Sequence, residues 1–217
     1  MAIAVLILGE SGTGKSASLR NFKGSEVGVI NVENKPLPFQ SDLKTYNSDN
    51  YNNIKEVLKN AQTQSIVIDD SQYLMANEFM RRAQEIGYQK FTDIGRNFWD
   101  LVNTVIYELP NNKIVYFLHH IEKNENGNAK AKTIGRMLDE KITFEGMFTI
   151  VLKTQVIDGQ YLFTTKNNGQ DTVKTPIGMF EAETIDNDLK AVDERIREFY
   201  KLDEMEEEDA QSDTNRN

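Results

Sequence analysis

Eight consecutive residues near the start of the chain have the types and the spacing of a loop that holds phosphate groups. They are Gly9-Glu10-Ser11-Gly12-Thr13-Gly14-Lys15-Ser16, and they fit the pattern G-x-x-x-x-G-K-[ST]. The glycines let backbone N–H groups turn around a phosphate, and a helix that begins there adds the positive end of its dipole. Lys15 can reach the β- and γ-phosphates, and Ser16 can offer its hydroxyl to Mg²⁺. The pattern predicts binding of ATP with Mg²⁺; the alternative is a glycine-rich turn that only joins a strand to a helix.

Two adjacent carboxylates follow a short apolar run further along the chain. Asp69 closes Ile66-Val67-Ile68, and a carboxylate that ends a strand beside a phosphate-binding loop can hold Mg²⁺ through water in the Walker-B manner. Asp70 is either a catalytic base or a solvated residue of the turn, and the residue types leave both interpretations open.

Two further strand ends carry polar side chains. Glu33 follows the second apolar run and could orient the water that attacks the γ-phosphate, although an isolated loop glutamate is more often only solvated. His119 and His120 follow a later strand, where a polar side chain can contact the γ-phosphate and sense its loss. The alternative is that one histidine packs and the other is exposed, and two histidines alone do not make a metal site.

Basic residues in the second half of the chain supply two further hypotheses. Lys166 and Lys174 flank the loop 167–173, and a lysine on an assembled neighbour could neutralise charge on the γ-phosphate. Lys130, Lys132 and Arg136 are candidate contacts to the phosphates of single-stranded DNA. Solvated surface charges are the ordinary interpretation of both groups.

The elements that position these residues alternate between strand and helix. Continuous apolar runs predict strands, and apolar residues at helical spacing predict helices. The predicted strands are Ala2–Leu8, Glu26–Val32, Ser65–Ile68 and Lys113–Leu118; the predicted helices are Lys15–Phe22, Tyr51–Ala61, Leu74–Ile86, Ile94–Leu109 and Asp186–Leu202. Phe148–Ile157 and Gln160–Thr165 predict a hairpin, because Asp158-Gly159 suits a type I′ turn. The polar segment Lys123–Lys132 predicts a mobile loop. The fold class is therefore α/β, with a mainly parallel sheet between helices and a late antiparallel hairpin.

Length and composition suit one domain over residues 1–203 and an acidic, disordered tail over 204–217. The formal net charge is -9, and the segment from Asp203 onward contains seven acidic residues and one arginine. The chain has no cysteine, which excludes disulfides and thiolate chemistry. No apolar stretch is long enough to cross a membrane, so we expect a cytoplasmic protein, in the host cell if the chain is phage-encoded.

Taken together, these features resemble the RecA-type ATPases, and among them the small phage-encoded ATPases of the Sak-type single-strand annealing group. The resemblance covers roughly Met1 to Phe180. Val29-Ile30-Asn31-Val32-Glu33 is similar to the family's second strand, whose terminal glutamate activates water, and this similarity favours Glu33 over Asp70 as the catalytic carboxylate. Ser65–Leu74 resembles the Walker-B strand.

The later segments extend the resemblance. Ile114–His120 is similar to the strand that ends in the family's γ-phosphate sensor, although RecA itself usually has glutamine there, and Glu122–Thr133 is placed like a DNA-binding loop. Phe163–Asn167 with Lys174 is similar to the segment that supplies lysines to the neighbouring subunit's nucleotide. The resemblance implies that role for Lys166 first and Lys174 second.

The function that the resemblance implies is ATP-dependent DNA recombination or annealing on single-stranded DNA, by a homo-oligomeric ring or filament. A phage single-strand-binding protein is a further expected partner. Full RecA has an N-terminal assembly helix and a C-terminal DNA-gathering domain that this sequence lacks, which favours annealing over strand exchange. A helicase loader or ring motor with a protein partner is one alternative, and a nucleotide-dependent switch is another. A small-molecule kinase ranks last, because only Arg136 lies between His120 and Lys166 where such kinases have an arginine-rich lid.

Overall fold

The strands and helices of the chain follow the alternation that its apolar runs predict. The structure is a computed structural model that describes residues 1–125 and 127–202. Its strands are β1 Ile3–Gly9, β2 Val27–Asn31, β3 Thr45–Asn47, β4 Ser65–Asp69, β5 Ile114–Lys123, β6 Ala129–Ala131, β7 Ile150–Ile157, β8 Gln160–Thr164 and β9 Thr184–Asp186. Its α-helices are α1 Tyr51–Asn60, α2 Gln72–Arg81, α3 Gln89–Glu108 and α4 Leu189–Tyr200. Ser16–Asn21 and Phe144–Met147 form 3-10 helices, and Met137–Ile142 forms a π-helical segment.

One mixed sheet organises the molecule, with the order β3-β2-β4-β5-β1-β7-β8-β9 and with β6 paired to β5. The strands from β3 to β7 in that order run parallel, whereas β8, β9 and β6 pair antiparallel to their neighbours. The register places Gly9 beside His120 and Asn31 beside Asp69. The polar ends of β2, β4 and β5 therefore meet the glycine-rich end of β1 at one edge of the sheet.

Helices cover both faces of the sheet, so its central strands are buried on both sides and are almost entirely apolar. The three helices α1, α2 and α3 pack on one face through residues such as Ile54, Leu74 and Phe98. The first 3-10 helix and α4 pack on the other face through Leu19 and Ile196. The predicted α/β class with a mainly parallel sheet is confirmed.

The predicted late hairpin is also confirmed. It consists of β7 and β8 and turns at Asp158 and Gly159. Both turn residues have positive φ, 50° and 77°, as a type I′ turn requires. The predicted C-terminal helix is α4, and the predicted acidic tail, 204–217, lies outside the described residues.

Two predicted elements differ from the structure. The helix expected over Lys15–Phe22 is a six-residue 3-10 helix, Ser16–Asn21, because Phe22 is already extended and the chain enters β2 at Val27. So short a helix aligns few peptide dipoles, and its contribution to phosphate binding is smaller than expected. The loop predicted over Lys123–Lys132 includes β6, which pairs with the end of β5.

No helix in the part of the chain that the structure describes is long and apolar enough to span a membrane.

Candidate active site

The glycine-rich loop leaves β1 at Gly9 and wraps tightly against its neighbours. Gly12 and Gly14 have φ of 78° and 99°, a left-handed conformation that favours glycine. A Cβ on Gly9 would lie 2.0 Å from Thr154 Oγ1 of β7. Thr154 also contacts Thr13, with 2.6 Å between the two Oγ1 atoms. Glycine spacing and a close approach to β7 together fix the path of the loop.

Lys15 is buried inside the loop. Its Nζ donates to the carbonyl oxygens of Gly9 and Glu10, at 3.1 and 2.9 Å. Burial lowers the pKa of Lys15, and the carboxylates of Asp70 and Asp69 act in the opposite direction. Because phosphate oxygens accept stronger, charge-assisted hydrogen bonds than carbonyls, the ammonium group is available to a bound phosphate.

Ser16 and Asp69 form an oxygen pair at the end of the loop. Ser16 Oγ donates to Asp69 Oδ1 over 2.8 Å. Asp69 is buried, and this burial, with the neighbouring charge of Asp70, raises its pKa to about 6. A hydroxyl and a carboxylate oxygen beside a phosphate-binding loop fit Mg²⁺, which prefers oxygen ligands and takes others from phosphate and water. This donor set agrees with the predicted metal-side role of Ser16 and Asp69.

Asp70 occupies a left-handed backbone conformation, φ 58°, that is uncommon for a residue with a side chain. Its carboxylate lies between two donors: His120 Nε2 is 3.2 Å from Oδ1, and Lys35 Nζ is 3.3 Å from Oδ2. Burial would raise the pKa of Asp70, but the hydrogen bond from His120 and the charge of Lys35 outweigh it and hold the pKa below its ordinary value. The carboxylate is therefore ionised and held in place, as a group that orients or deprotonates water must be.

The two adjacent histidines have different surroundings. His119 is fully buried; its Nε2 lies 2.9 Å from the carbonyl oxygen of Lys132, and its Nδ1 lies 2.9 Å from Ser71 Oγ. Because a carbonyl only accepts, Nε2 carries the proton. Burial lowers the pKa of His119 to about 3, so the ring stays neutral. His120 faces Asp70 instead, with its ring edge-on to Tyr73. The structure thus makes His119 a packing residue and brings His120 to the site.

One cavity of about 570 Å³ joins these groups. Strand β5 lies between β1 and β4, so His120 lies between the glycine-rich loop and the Asp69–Asp70 pair. The cavity is lined by Ser11, Gly12, Gly14, Lys15, Ser16, Ala17, Asn31, Lys35, Pro36, Pro38, Asp69, Asp70, Tyr73, His120 and Tyr161. Its volume is in the range of small-molecule sites.

Three predicted catalytic residues do not line this cavity. Glu33 Oε1 accepts a hydrogen bond from Asn77 of α2 over 2.8 Å, and Glu33 Oε2 lies 3.8 Å from Lys35 Nζ. Lys166 donates to the carbonyl oxygen of Glu181. Lys174 lies in an antiparallel bridge with Val151. A role of these lysines in a neighbouring subunit's site stays a prediction.

The candidate DNA contacts lie on or after the β5–β6 hairpin. Lys130 is neutralised by Asp139 and Glu122, at 2.6 and 3.2 Å. Lys132 is exposed, and so is Arg136, which pairs with Glu140 over 3.5 Å. Lys132 and Arg136 therefore present positive charge to solvent, whereas Lys130 is largely compensated.

Four polar or aromatic residues of the cavity were not predicted from the sequence: Asn31, Lys35, Tyr73 and Tyr161. Asn31 and Lys35 flank Glu33, so the sequence pointed to this end of β2, and the structure adds two neighbours of Glu33 to the cavity lining. The proline pair Pro36 and Pro38 was a usable signal, because it forces this segment to stay extended beside the strand ends. Tyr161 follows the hairpin turn, and nothing in its local sequence indicates a contact with Gly14.

Searches against protein-family models and against curated proteins find no match to this chain. The function proposed below therefore rests on the residues of the cavity and on the resemblance of the sequence motifs.

Proposed function

We propose that this protein binds and hydrolyses ATP with Mg²⁺ as a RecA-type, phage-type DNA recombination or single-strand annealing protein that acts on single-stranded DNA as a homo-oligomer. One observation carries the ATPase part of the proposal. A single cavity combines the glycine-rich loop, the Ser16–Asp69 oxygen pair and the Asp70–His120 pair.

Each group has a separate task in this proposal. The backbone N–H groups of the loop and Lys15 would bind the β- and γ-phosphates. Ser16 and Asp69 would hold Mg²⁺, which when bound neutralises charge on the phosphate oxygens. Asp70 would orient the attacking water and accept its proton, with His120 holding the carboxylate in place.

The position of Asp70 in the cavity supports it as the carboxylate that acts on water. Glu33 is the residue that the resemblance favours, yet its side chain bonds to Asn77. Glu33 Oε2 lies 3.8 Å from Lys35 Nζ, so Glu33 is near the cavity without lining it. Comparing Asp70→Asn with Glu33→Gln at saturating ATP separates the two, since the catalytic carboxylate is the one whose loss lowers kcat more.

The DNA part of the proposal is supported by a continuous contact from the cavity to the hairpin. Ser71 follows Asp70 directly and bonds to His119, whose other ring nitrogen bonds to the Lys132 carbonyl. Lys132 and Arg136 expose their charges on this side. DNA held at the hairpin would therefore contact a segment that is tied to the γ-phosphate end of the cavity.

The deciding experiment is ATP hydrolysis by the purified protein with and without single-stranded DNA at moderate salt, with Lys15→Ala as the blank. We expect DNA to stimulate the rate. Lys132→Ala and Arg136→Ala should each weaken DNA binding. Each should also make the plot of log binding constant against log salt concentration less steep, by about 0.7 for each phosphate contact that is lost. Lys44→Ala, on an exposed lysine outside the cavity and the hairpin, is the matched control.

A second candidate is an ATPase whose main partner is a protein, as in a helicase loader or ring motor. Neutralisation of Lys130 favours it. So do the exposed apolar side chains at the end of α2 and in the turn before α3, which are Met80, Ile86 and Tyr88. A hydrolysis rate indifferent to DNA, together with no DNA binding, would support this candidate against the first. Tight nucleotide binding without hydrolysis would instead support a nucleotide-dependent switch.

A further inference from the structure

Lys35 enters the cavity on a turn that the end of β2 holds in place. Asn31 Nδ2 donates to the Lys35 carbonyl oxygen over 2.6 Å, and the Lys35 backbone N–H donates back to Asn31 Oδ1 over 3.3 Å. Asn34, with φ of 53°, reverses the chain just before Lys35. The backbone of Lys35 is thus fixed at the carboxyl edge of the sheet, while its side chain is long and flexible.

The ammonium group of Lys35 lies beside Asp70, at the end of the cavity where the proposed function places the terminal phosphate. Its Nζ is 3.3 Å from Asp70 Oδ2, 3.8 Å from Glu33 Oε2 and 4.9 Å from the centre of the Tyr73 ring. Asp70 is adjacent to Asp69, whose carboxylate bonds to Ser16. Lys35 and Lys15 therefore line the same cavity, and both lie close enough to Asp70 to interact with its charge.

The present partners of Lys35 can be exchanged. Its side chain is 58% exposed, and exposed ion pairs contribute little and are weakened by salt. A triphosphate carries several negative charges and many acceptor oxygens, so it competes well with one carboxylate for a lysine. Lys15, in contrast, is buried against the carbonyls of its own loop. Lys35 is the cation in this cavity that can move without disturbing the fold.

The lysines first considered for charge neutralisation do not line this cavity. The Lys166 ammonium donates to the Glu181 carbonyl oxygen, whereas Lys174 pairs with Val151 through backbone hydrogen bonds and its side chain is exposed. Among the described residues that line the cavity, the two lysines are Lys15 and Lys35. Lys35 therefore already supplies, from the same chain, the positive charge that a lysine of a neighbouring subunit was expected to supply.

We propose that Lys35 is a catalytic residue that contacts the γ-phosphate of the ATP bound by its own chain, so that the charge-neutralising cation belongs to the same subunit. This inference rests on the proposed ATPase function. Hydrolysis forms a bond from a water oxygen to the γ-phosphorus and breaks the bond to the bridging oxygen, whose electron pair leaves on ADP. The proton of the water passes to Asp70, which loses its ion pair when Lys35 moves to the phosphate.

Lys35→Met, a change that keeps length and removes charge, gives the first test. We expect its affinity for a slowly hydrolysed ATP analogue to fall about 10-fold or more, its affinity for ADP to change less than about 2-fold, and kcat to fall about 100-fold. Lys35→Arg should recover part of the loss, and Lys44→Met should behave as wild type. A Lys35→Met protein with wild-type kcat and an unchanged preference between the analogue and ADP would overturn the inference.

Mixing two inactive variants tests whether Lys35 acts within its own chain. Lys35→Met has an intact glycine-rich loop, and Lys15→Ala retains Lys35, so a lysine that acted on a neighbour would restore hydrolysis in the mixture. We expect no recovery at any ratio; recovery would overturn the same-chain assignment. If wild-type protein binds neither nucleotide, the proposed function itself fails and the inference falls with it. If wild type hydrolyses ATP and Lys35→Met matches it, only the inference fails.

Discussion

Asp69→Asn should stabilise the nucleotide-free protein, and by an amount that depends on pH. Burial raises the pKa of Asp69 to about 6, whereas the ordinary value is 3.8. As pH rises, the unfolded chain loses this proton first, so the stability contributed by protonated Asp69 is complete below pH 3.8 and is lost through pH 6. At 1.36 kcal/mol per pH unit, the raised pKa of Asp69 lowers the free energy of unfolding by about 3 kcal/mol at pH 8 and by about half of that at pH 5, relative to its value well below pH 3.8. Asparagine cannot ionise and avoids this cost.

Urea unfolding of wild type and Asp69→Asn in the presence of a chelator, at pH 5 and at pH 8, measures the effect. The stability advantage of the variant should grow by about 1.5 kcal/mol between the two pH values. Glu56→Gln, on an exposed carboxylate of α1, should show no such growth. Adding Mg²⁺ and ATP at pH 8 should stabilise wild type more than the variant, since the amide is a poorer ligand for the ion. An advantage that is constant or shrinks with pH would refute the assignment of Asp69 as a buried, destabilising carboxylate.

Three further changes test the framework of the site. Gly9→Ala should destabilise the protein by about 1–3 kcal/mol in urea unfolding and weaken ATP binding, because its Cβ would lie 2.0 Å from Thr154 Oγ1 and 2.7 Å from Thr13 Oγ1; adding Thr154→Ala should recover part of the loss, and strictly additive losses would contradict the contact. His119→Phe should lose about 1.6 kcal/mol less stability than wild type between pH 6.5 and pH 5, because burial holds the pKa of His119 at about 3; equal acid sensitivity of the two proteins would count against a buried neutral ring. Tyr116→Phe should cost about 1.5–3 kcal/mol in the same unfolding assay, because the buried Tyr116 hydroxyl donates to Asp193 Oδ1 over 2.8 Å; a neutral result would show that this hydrogen bond does not stabilise α4 on the sheet.

Much of the fold was predictable because the central strands are buried on both faces. Continuous runs such as Ile3–Gly9 and Ser65–Asp69 can be buried only in the middle of a covered sheet. The hairpin turn at Asp158 and Gly159 was predictable because few residue pairs adopt positive φ at both positions. The short strands β3 and β9 were missed, because their three residues carry no alternation that separates a strand from a loop.

The site residues that could be predicted are those whose role follows from the residues next to them in the sequence. The loop from Gly9 to Ser16 and the strand-ending Asp69 meet that condition. Which of two adjacent histidines faces the cavity depends on the strand's register and on the packing of His119 against Phe98 and Phe144. The role of Lys35 depends on a turn held by Asn31, a contact that no spacing rule indicates.

The two short strands at the margins of the sheet also limit how copies of this protein can associate. A long, flat marginal strand offers unpaired backbone groups that a second molecule can extend into a larger sheet. Here the order ends in β3 and β9, each only three residues long, which gives an incoming strand little backbone to bond. Pairing through these two strands would therefore add few backbone hydrogen bonds to a ring or filament, and side-chain contacts would have to supply most of its stability.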